Sequence, residues 1–317
     1  MDRAKSLPGP VEIVLPATSA NLGPAFDTAA LAMTMYLRVR ARPAARFSVT
    51  ARGRDRAICG SLRGNLVLQT YREVLSGAGK AVIPLALSVT NEIPVGKGCG
   101  SSAAARIAGI LLACRFGRLR WSEEQILAEA ASREGHLDNT AACWHGGLVI
   151  AQGNGHSRPW HATPVKIYPR ANWPLLLAVP RRPLSTEEAR RLLPLRYLRS
   201  DVVANIQSVM LLMAAFQQAR GDLLLDALQD RVHQPYREAL CPLLPCLRRL
   251  CGRHGILGVA LSGAGPSVLL VLKREASAAQ ARRAVAAHLR RSGLAAELIL
   301  TRIAMAGTDW GRSGLSR

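Results

Sequence analysis

The chain has 317 residues, 49% hydrophobic and 20% charged. This excludes a disordered or collagen-like chain and leaves length for two domains of ordinary size. The net charge is +21, with 37 arginines against only five lysines. The basic residues are dispersed, the longest clusters being pairs such as Arg181-Arg182 and Arg290-Arg291, and aromatics make up 4%. Neither a continuous basic surface nor a base-stacking platform is legible, so nucleic acid is not an expected partner. A positive field would also draw in an anionic small substrate. No run of 18 uncharged apolar residues occurs, so no membrane-spanning helix is expected. Seven cysteines without a CxxC pair argue against a disulfide framework or a zinc site. Cys241, Cys246 and Cys251, spaced by five, read as buried thiols on or near helices. Met1–Leu15 lacks an apolar stretch of signal-peptide length, and the expected compartment is a reducing cytoplasm.

In chain order, Val11–Leu15 reads as a strand ending at Pro16, and the small, polar residues 17–27 as a loop. Ala30–Arg40 and Phe47–Ala51 read as strands, Asn65–Leu75 as a helix and Leu85–Val89 as a strand. The Gly-rich stretch Pro94–Gly100 precedes an Ala/Ile/Leu-rich helix, Ser101–Phe116. Trp121–Ser132 is a second helix, opened by the Ser122/Gln125 capping pair. Gly147–Ala151 is a strand, 153–174 an irregular or interdomain segment, and Leu175–Val179 a buried strand. Thr186–Leu193, Asp201–Arg220, Asp222–Val232 and Pro245–His254 read as helices. Val259–Ser262 and Ser267–Leu272 are strands around a Gly-rich turn. Ser277–Arg291 is a helix with Ser277 as N-cap, and Ala296–Arg302 a last strand. The alternation indicates a mixed α/β or α+β fold.

Pro94-Val-Gly-Lys-Gly-Cys-Gly-Ser-Ser-Ala-Ala-Ala105 carries the chemistry. Gly96, Gly98 and Gly100 let the backbone approach a ligand, and the following helix start offers unpaired N–H groups and a positive dipole end. Together they form a phosphate cradle, to which Ser101 and Ser102 add hydroxyls for phosphate or hydrated Mg2+. The spacing is neither Walker A nor GxGxxG.

This segment resembles the phosphate loop of the GHMP kinases, and further blocks occur in the family's order. Pro16-Ala-Thr-Ser-Ala-Asn-Leu-Gly-Pro-Ala-Phe-Asp27 looks like the first motif of the homoserine kinase branch, and Leu261-Ser-Gly-Ala-Gly-Pro-Ser267 like the third GHMP motif. Glu134-Gly-His-Leu-Asp-Asn139, followed by Gly146-Gly147, resembles that branch's Glu-Gly-His-Pro-Asp-Asn block. Leu184–Arg190 and His233-Gln-Pro-Tyr-Arg237 also look like the branch. The similarity spans residues 11–272. It departs at Cys99, where Leu is usual, at Leu137, where Pro is common, and at Ala25, where Gly is usual. If position 25 needs a positive φ, Ala25 would cost stability.

The resemblance implies an α+β, two-domain GHMP fold. Residues 1–160 would form a ribosomal protein S5 domain 2-like ATP-binding domain and 161–317 a ferredoxin-like domain, with the site between them. It implies ATP and Mg2+ as cofactors and a small hydroxy amino acid as acceptor. Homoserine, on the route to threonine, is the first expectation, with threonine or a non-catalytic nucleotide binder as alternatives. Pro94, Gly96, Lys97, Gly98, Cys99, Gly100, Ser101 and Ser102 would cradle the phosphates, backed by Gly263 and Gly265, with Asn65 at the adenine pocket. Ser101, Ser102 and Glu134 would hold Mg2+, Glu129 being the fallback carboxylate. Arg190 and Arg237 would take the acceptor carboxylate and Asp27 its ammonium, with Asn21, His136 and Asn139 near the reacting hydroxyl. Asn139 stands where mevalonate kinase and galactokinase carry an aspartate base. An amide does not accept a proton at neutral pH, so transfer without a strong protein base is implied, His136 being the less favoured base. Family members are often dimers, although no interface is legible in the sequence.

Overall fold

In the computed structural model, residues 8–153 and 162–311 are described. The first half comprises β1 (Val11–Asn21), β2 (Ala25–Pro43), β3 (Ser48–Gly53), α1 (Arg56–Cys59), α2 (Leu66–Gly77), β4 (Leu85–Asn91), α3 (Ser101–Gly117), α4 (Glu123–Glu134), α5 (Asp138–His145), β5 (Leu148–Gly153) and β6 (Ala162–Ile167). Period-two alternation orients its longest strand: Met33, Met35, Leu37, Val39 and Ala41 of β2 are buried, while Thr34, Arg38, Arg40 and Arg42 face outward. The sheet runs β3-β4-β2-β5-β6 with β1 on β2, antiparallel except for the β3–β4 pair.

The second half comprises β7 (Leu175–Val179), α6 (Thr186–Arg191), α7 (Arg199–Gln218), a 3-10 turn at Gly221–Leu223, α8 (Leu224–Ala227), α9 (Gln234–Arg237), α10 (Leu243–Arg248), β8 (Ile256–Leu261), β9 (Val268–Leu272), α11 (Glu275–Arg291) and β10 (Glu297–Thr301). Its sheet order, β10-β7-β9-β8, is wholly antiparallel and gives the ferredoxin-like βαββαβ arrangement. α10 and α11 cover one face through Leu244, Leu247, Ala281 and Val285. The molecule is thus α+β with two sheets. β6 pairs with β5, so the chain changes sheets between Ile167 and Leu175, after the division expected at 160/161. The expected irregular segment 153–174 therefore holds a strand, and its residues 154–161 lie outside the described residues. After β10, the chain returns to the first sheet, where Val14 and Asp309 exchange backbone hydrogen bonds of 2.7 and 2.9 Å.

Other differences from the expected elements have local causes. β1 does not stop at Pro16; its register shifts between Pro16 and Ala17, and it continues to Asn21. A bulge tolerates a residue without N–H. Ala17, Thr18, Ser19 and Ala20 are small because they are buried in a strand, not because they form a loop. Asp222–Val232 is not one helix: the Asp230 carboxylate accepts the N–H groups of Val232, His233 and Gln234, turning the chain after α8. Ser277 is not an N-cap; α11 starts at Glu275, and the Ser277 hydroxyl donates to the Arg274 carbonyl. Of the three spaced cysteines, Cys241 is buried, but Cys246 and Cys251 are half-buried.

Candidate active site

The glycine-rich loop Pro94–Gly100 is held from behind. Gly98 and Gly100 have φ of 76° and 70°. A Cβ on Gly98 would lie 2.2 Å from the Ser262 carbonyl oxygen, and one on Gly100 1.8 Å from Thr18 Oγ1. The turn after β8 is the backing: Ser262 Oγ donates to the Gly98 carbonyl at 2.7 Å, and Gly263 and Gly265 also adopt positive φ there. Thr18 N–H donates to the Cys99 carbonyl at 3.1 Å. Cys99 is 1% exposed and burial pushes its thiol up to about 12, so it serves as a small apolar filler. Pro94 is buried and leads into the loop, whose Val95 N–H donates to Asp55. Gly96 N–H faces Ser101 Oγ at 3.4 Å. Lys97 lines the cleft beside the loop.

Two clefts meet at the start of α3, sharing Gly96, Ser101 and Ser102. One is largely apolar, lined by Leu37, Ile58, Val67, Val89, Ile93 and Asn65. Asn65 is also the N-cap of α2: its Oδ1 accepts from Leu68 N–H at 3.2 Å, and its amide donates to the Cys59 carbonyl. The other cleft is polar and brings together Asn21, Asp27, Glu134, His136, Asn139, Arg190 and Arg237 from both halves of the chain. Glu134 ends α4 against the start of α3, where Ser102 Oγ donates to its Oε1 and Arg106 Nε donates to the same oxygen at 2.5 Å. Hard oxygens suit Mg2+, and Ser102 with Glu134 would supply two of them, while the positive N-terminal end of α3 favours an anionic phosphate beside them. Glu129 instead pairs with Arg133.

Asp27 and Arg190 form a bidentate ion pair, with N–O distances of 2.7 and 2.9 Å. Asp27 stands at φ 53°, held by its N–H donating to Asn21 Oδ1 at 2.9 Å, while the Asn21 amide donates to the Gly263 carbonyl. Ala25 does not need a positive φ: the left-handed residues of this turn are Asn21, Leu22 and Gly23, and Ala25 is a buried strand residue paired with Asn21. The concern raised by its missing glycine is therefore removed. Leu137, at the N-cap of α5, is buried and accepts Ala141 N–H through its carbonyl.

Asn139 Oδ1 accepts from Thr18 Oγ1 at 2.6 Å. His136 Nδ1 lies 2.6 Å from Asp138 Oδ1. Burial disfavours the His136 charge, but Asp138, then Asp27 and Glu134, outweigh it and raise its pKa to about 9. The ring is thus protonated at neutral pH and has no lone pair for a proton or a metal. Asp27, His136 and Asp138 could present ligand atoms within 4.8 Å of one another. Asp27 is paired with Arg190 and Asp138 with the imidazolium, so this cluster compensates its own charge.

Arg237 is 1% exposed at the wall of the polar cleft. Burial first, and Arg190 second, lower its pKa to about 10, leaving it charged at neutral pH.

Residues 65–147 match the family of GHMP kinases N terminal domain and residues 212–291 that of GHMP kinases C terminal. Homoserine kinase of Solibacter usitatus is 43% identical over 82% of this chain and 84% of its own length. The chain belongs to the homoserine kinases of the GHMP family. Homoserine kinase of Synechocystis sp. is 37% identical over 82% of this chain and 85% of its own. The crystal structure of homoserine kinase from Cytophaga hutchinsonii shares the fold, with a TM-score of 0.78 at 23% identity, covering 98% of this chain and 100% of that one. Within this homoserine kinase fold, Thr18, Phe26, Arg106, Asp138 and His233 contact residues singled out from sequence, yet were not themselves singled out. Thr18, Phe26, Asp138 and His233 lie inside the quoted motifs; Arg106, one of 37 arginines, carries no sequence signal.

Proposed function

We propose that the chain transfers the γ-phosphoryl group of ATP to the side-chain hydroxyl of L-homoserine, giving O-phospho-L-homoserine. The observation that carries this reading is one cleft that sets Asp27, Arg190 and Arg237 opposite the N-terminus of α3. An amino-acid zwitterion carries the same two charges as the Asp27–Arg190 pair. Its ammonium takes Asp27 and its carboxylate takes Arg190 and Arg237, so each end of the substrate meets opposite charge and the site keeps one positive charge in excess. The triphosphate lies on the loop 94–102, with the adenine in the apolar cleft beside Asn65. Ser102 and Glu134, with Ser101 nearby, hold Mg2+, which supplies neutralisation of phosphate charge.

Phosphoryl transfer depends mainly on alignment and charge stabilisation. Asn139, fixed by Thr18, and His136, fixed by Asp138, hold the acceptor hydroxyl toward the phosphate. The imidazolium adds positive charge and is not a free base. The hydroxyl proton therefore leaves to the phosphate or to water.

The test is ADP release with homoserine, threonine, serine and mevalonate in turn, and product identification by 31P NMR. Homoserine is expected to turn over fastest by at least about tenfold, a factor worth ~1.4 kcal/mol of transition-state discrimination. Faster turnover of threonine, or ATP binding with no turnover of any acceptor, would reject the reading.

A further inference from the structure

His233 is fully buried, and both of its ring nitrogens have partners. Nε2 is 2.7 Å from the Gly23 carbonyl oxygen. A carbonyl only accepts, so Nε2 carries the proton and Nδ1 keeps a lone pair. That lone pair accepts from Arg237 Nη1 at 2.9 Å, one helical turn along α9. Arg237 Nε donates to the Ala189 carbonyl at 3.2 Å. Two bonds from different elements thus fix the guanidinium plane. The His233 ring stacks on Phe26 at 5.2 Å, and both Arg190 and Arg237 sit over that same Phe26 ring at 5.4 and 5.3 Å. Asp230 fixes the backbone of His233 and Gln234 from below. Through Gly23, His233 also touches the turn that carries Asn21 and Asp27.

We infer that His233 is a positioning residue for the acceptor: its neutral ring aims Arg237 and ties it to the Asn21–Asp27 turn, so both charged ends of the substrate meet a preset site. The inference rests on the reading of Arg237 as a carboxylate ligand. Neutrality is required, because an imidazolium has no acceptor for Arg237 and would place a second cation against it. Burial, opposed by Asp230 and reinforced by Arg237, pushes the ring pKa down, in agreement with this tautomer.

Two substitutions separate the two ring nitrogens. His233→Gln can keep a donor near Nε2 but loses the Nδ1 acceptor; His233→Asn can keep an acceptor near Nδ1. His233→Gln is expected to raise the acceptor KM about tenfold or more, a change of ~1.4 kcal/mol, while KM for ATP and kcat stay within about threefold. His233→Asn should recover most of that loss. An unchanged acceptor KM in His233→Gln, or an equal rise for ATP, overturns the inference. Arg237→Ala tests the parent reading separately: an unchanged acceptor KM there rejects Arg237 as a ligand, whereas a raised one beside a normal His233→Gln rejects only the positioning role. Should the His233 variants melt too low to assay, 15N NMR of the wild-type imidazoles answers instead. A bare Nδ1 and a protonated Nε2 at pH 7 are expected for His233; a charged ring or an Nδ1–H overturns the inference.

Discussion

Arg190 spends two donors on the Asp27 carboxylate, and that geometry sets what a lysine would lose. A lysine keeps the charge but not the planar fork. Hydrogen bonds to charged groups contribute about 1.5–3 kcal/mol, so Arg190→Lys should raise the acceptor KM roughly tenfold or more and leave ATP binding within about threefold. Steady-state kinetics with each substrate varied will read this; a matching rise for ATP would show a structural effect instead. At His136 the folded pKa of about 9 exceeds the unfolded 6.5. Its stabilising contribution is therefore complete below about pH 6.5 and fades as pH rises through about 9. The gap sets an upper limit of ~3 kcal/mol. Urea unfolding of the wild type and His136→Gln between pH 6 and 10 should show the difference shrinking with alkalinity, and a constant difference would contradict the Asp138 pairing. At this scale the motifs name Asp27, His136, Asn139, Arg190 and Arg237 as residues of interest. They do not say that Asp27 holds Arg190 or that Asp138 charges His136, because side-chain pairing depends on which backbone segments approach.

Among the elements, α3 with its preceding loop was the most legible, because three alternating glycines before an apolar run serve one purpose in sequence and in space. What demands glycine is the packing as much as any phosphate: the Ser262 carbonyl and the Thr18 hydroxyl fill the volume where Cβ atoms would go. Gly100→Ala is therefore expected to lose at least ~2 kcal/mol, from the left-handed conformation and the clash together, and to melt several degrees lower. Calorimetry would show this without any ligand, and an unchanged melting temperature would mean that the loop rests elsewhere. Within the expected loop 17–27, residues 17–21 complete β1 and residues 25–27 open β2 for a physical reason. Small, polar residues favour turns in isolation, yet here they let a strand lie close beneath α3 and α5. α5 was not expected as a helix either. It is eight residues long, and Asp138 at its first position accepts its own neighbour's N–H in place of an ordinary N-cap side chain.

For the whole molecule, the +21 charge remains mostly outside the site. Arg190 and Arg237 line the polar cleft, and Arg54 joins the two sheets through a bidentate pair with Glu297 at 2.5 and 2.7 Å. Exposed pairs of this kind contribute at most about 1 kcal/mol. Unbalanced like charge repels across the folded surface, so raising NaCl from about 0.02 to about 0.3 M should raise the melting temperature by a few degrees. A fall would mean that attractive ion pairs dominate the surface. Among the described residues, no helix is long and apolar enough to cross a membrane.

The sequence by itself determined the family, because its ordered motifs are local properties of the chain, and through that resemblance it implied the two-domain α+β class; the alternation of elements alone left α/β and α+β open. Only the tertiary structure decided the partners of the charged side chains, the continuation of β1 past Pro16, and the sheet to which β6 belongs. It alone placed His233 beneath Arg237 and Phe26, and returned the C-terminal strand segment to the first sheet. These features depend on contacts between residues far apart in sequence, such as Thr18 with Asn139 and Asn21 with Gly263. Burial there removes water as the competing partner, and pairing is then settled by which groups the fold brings within reach.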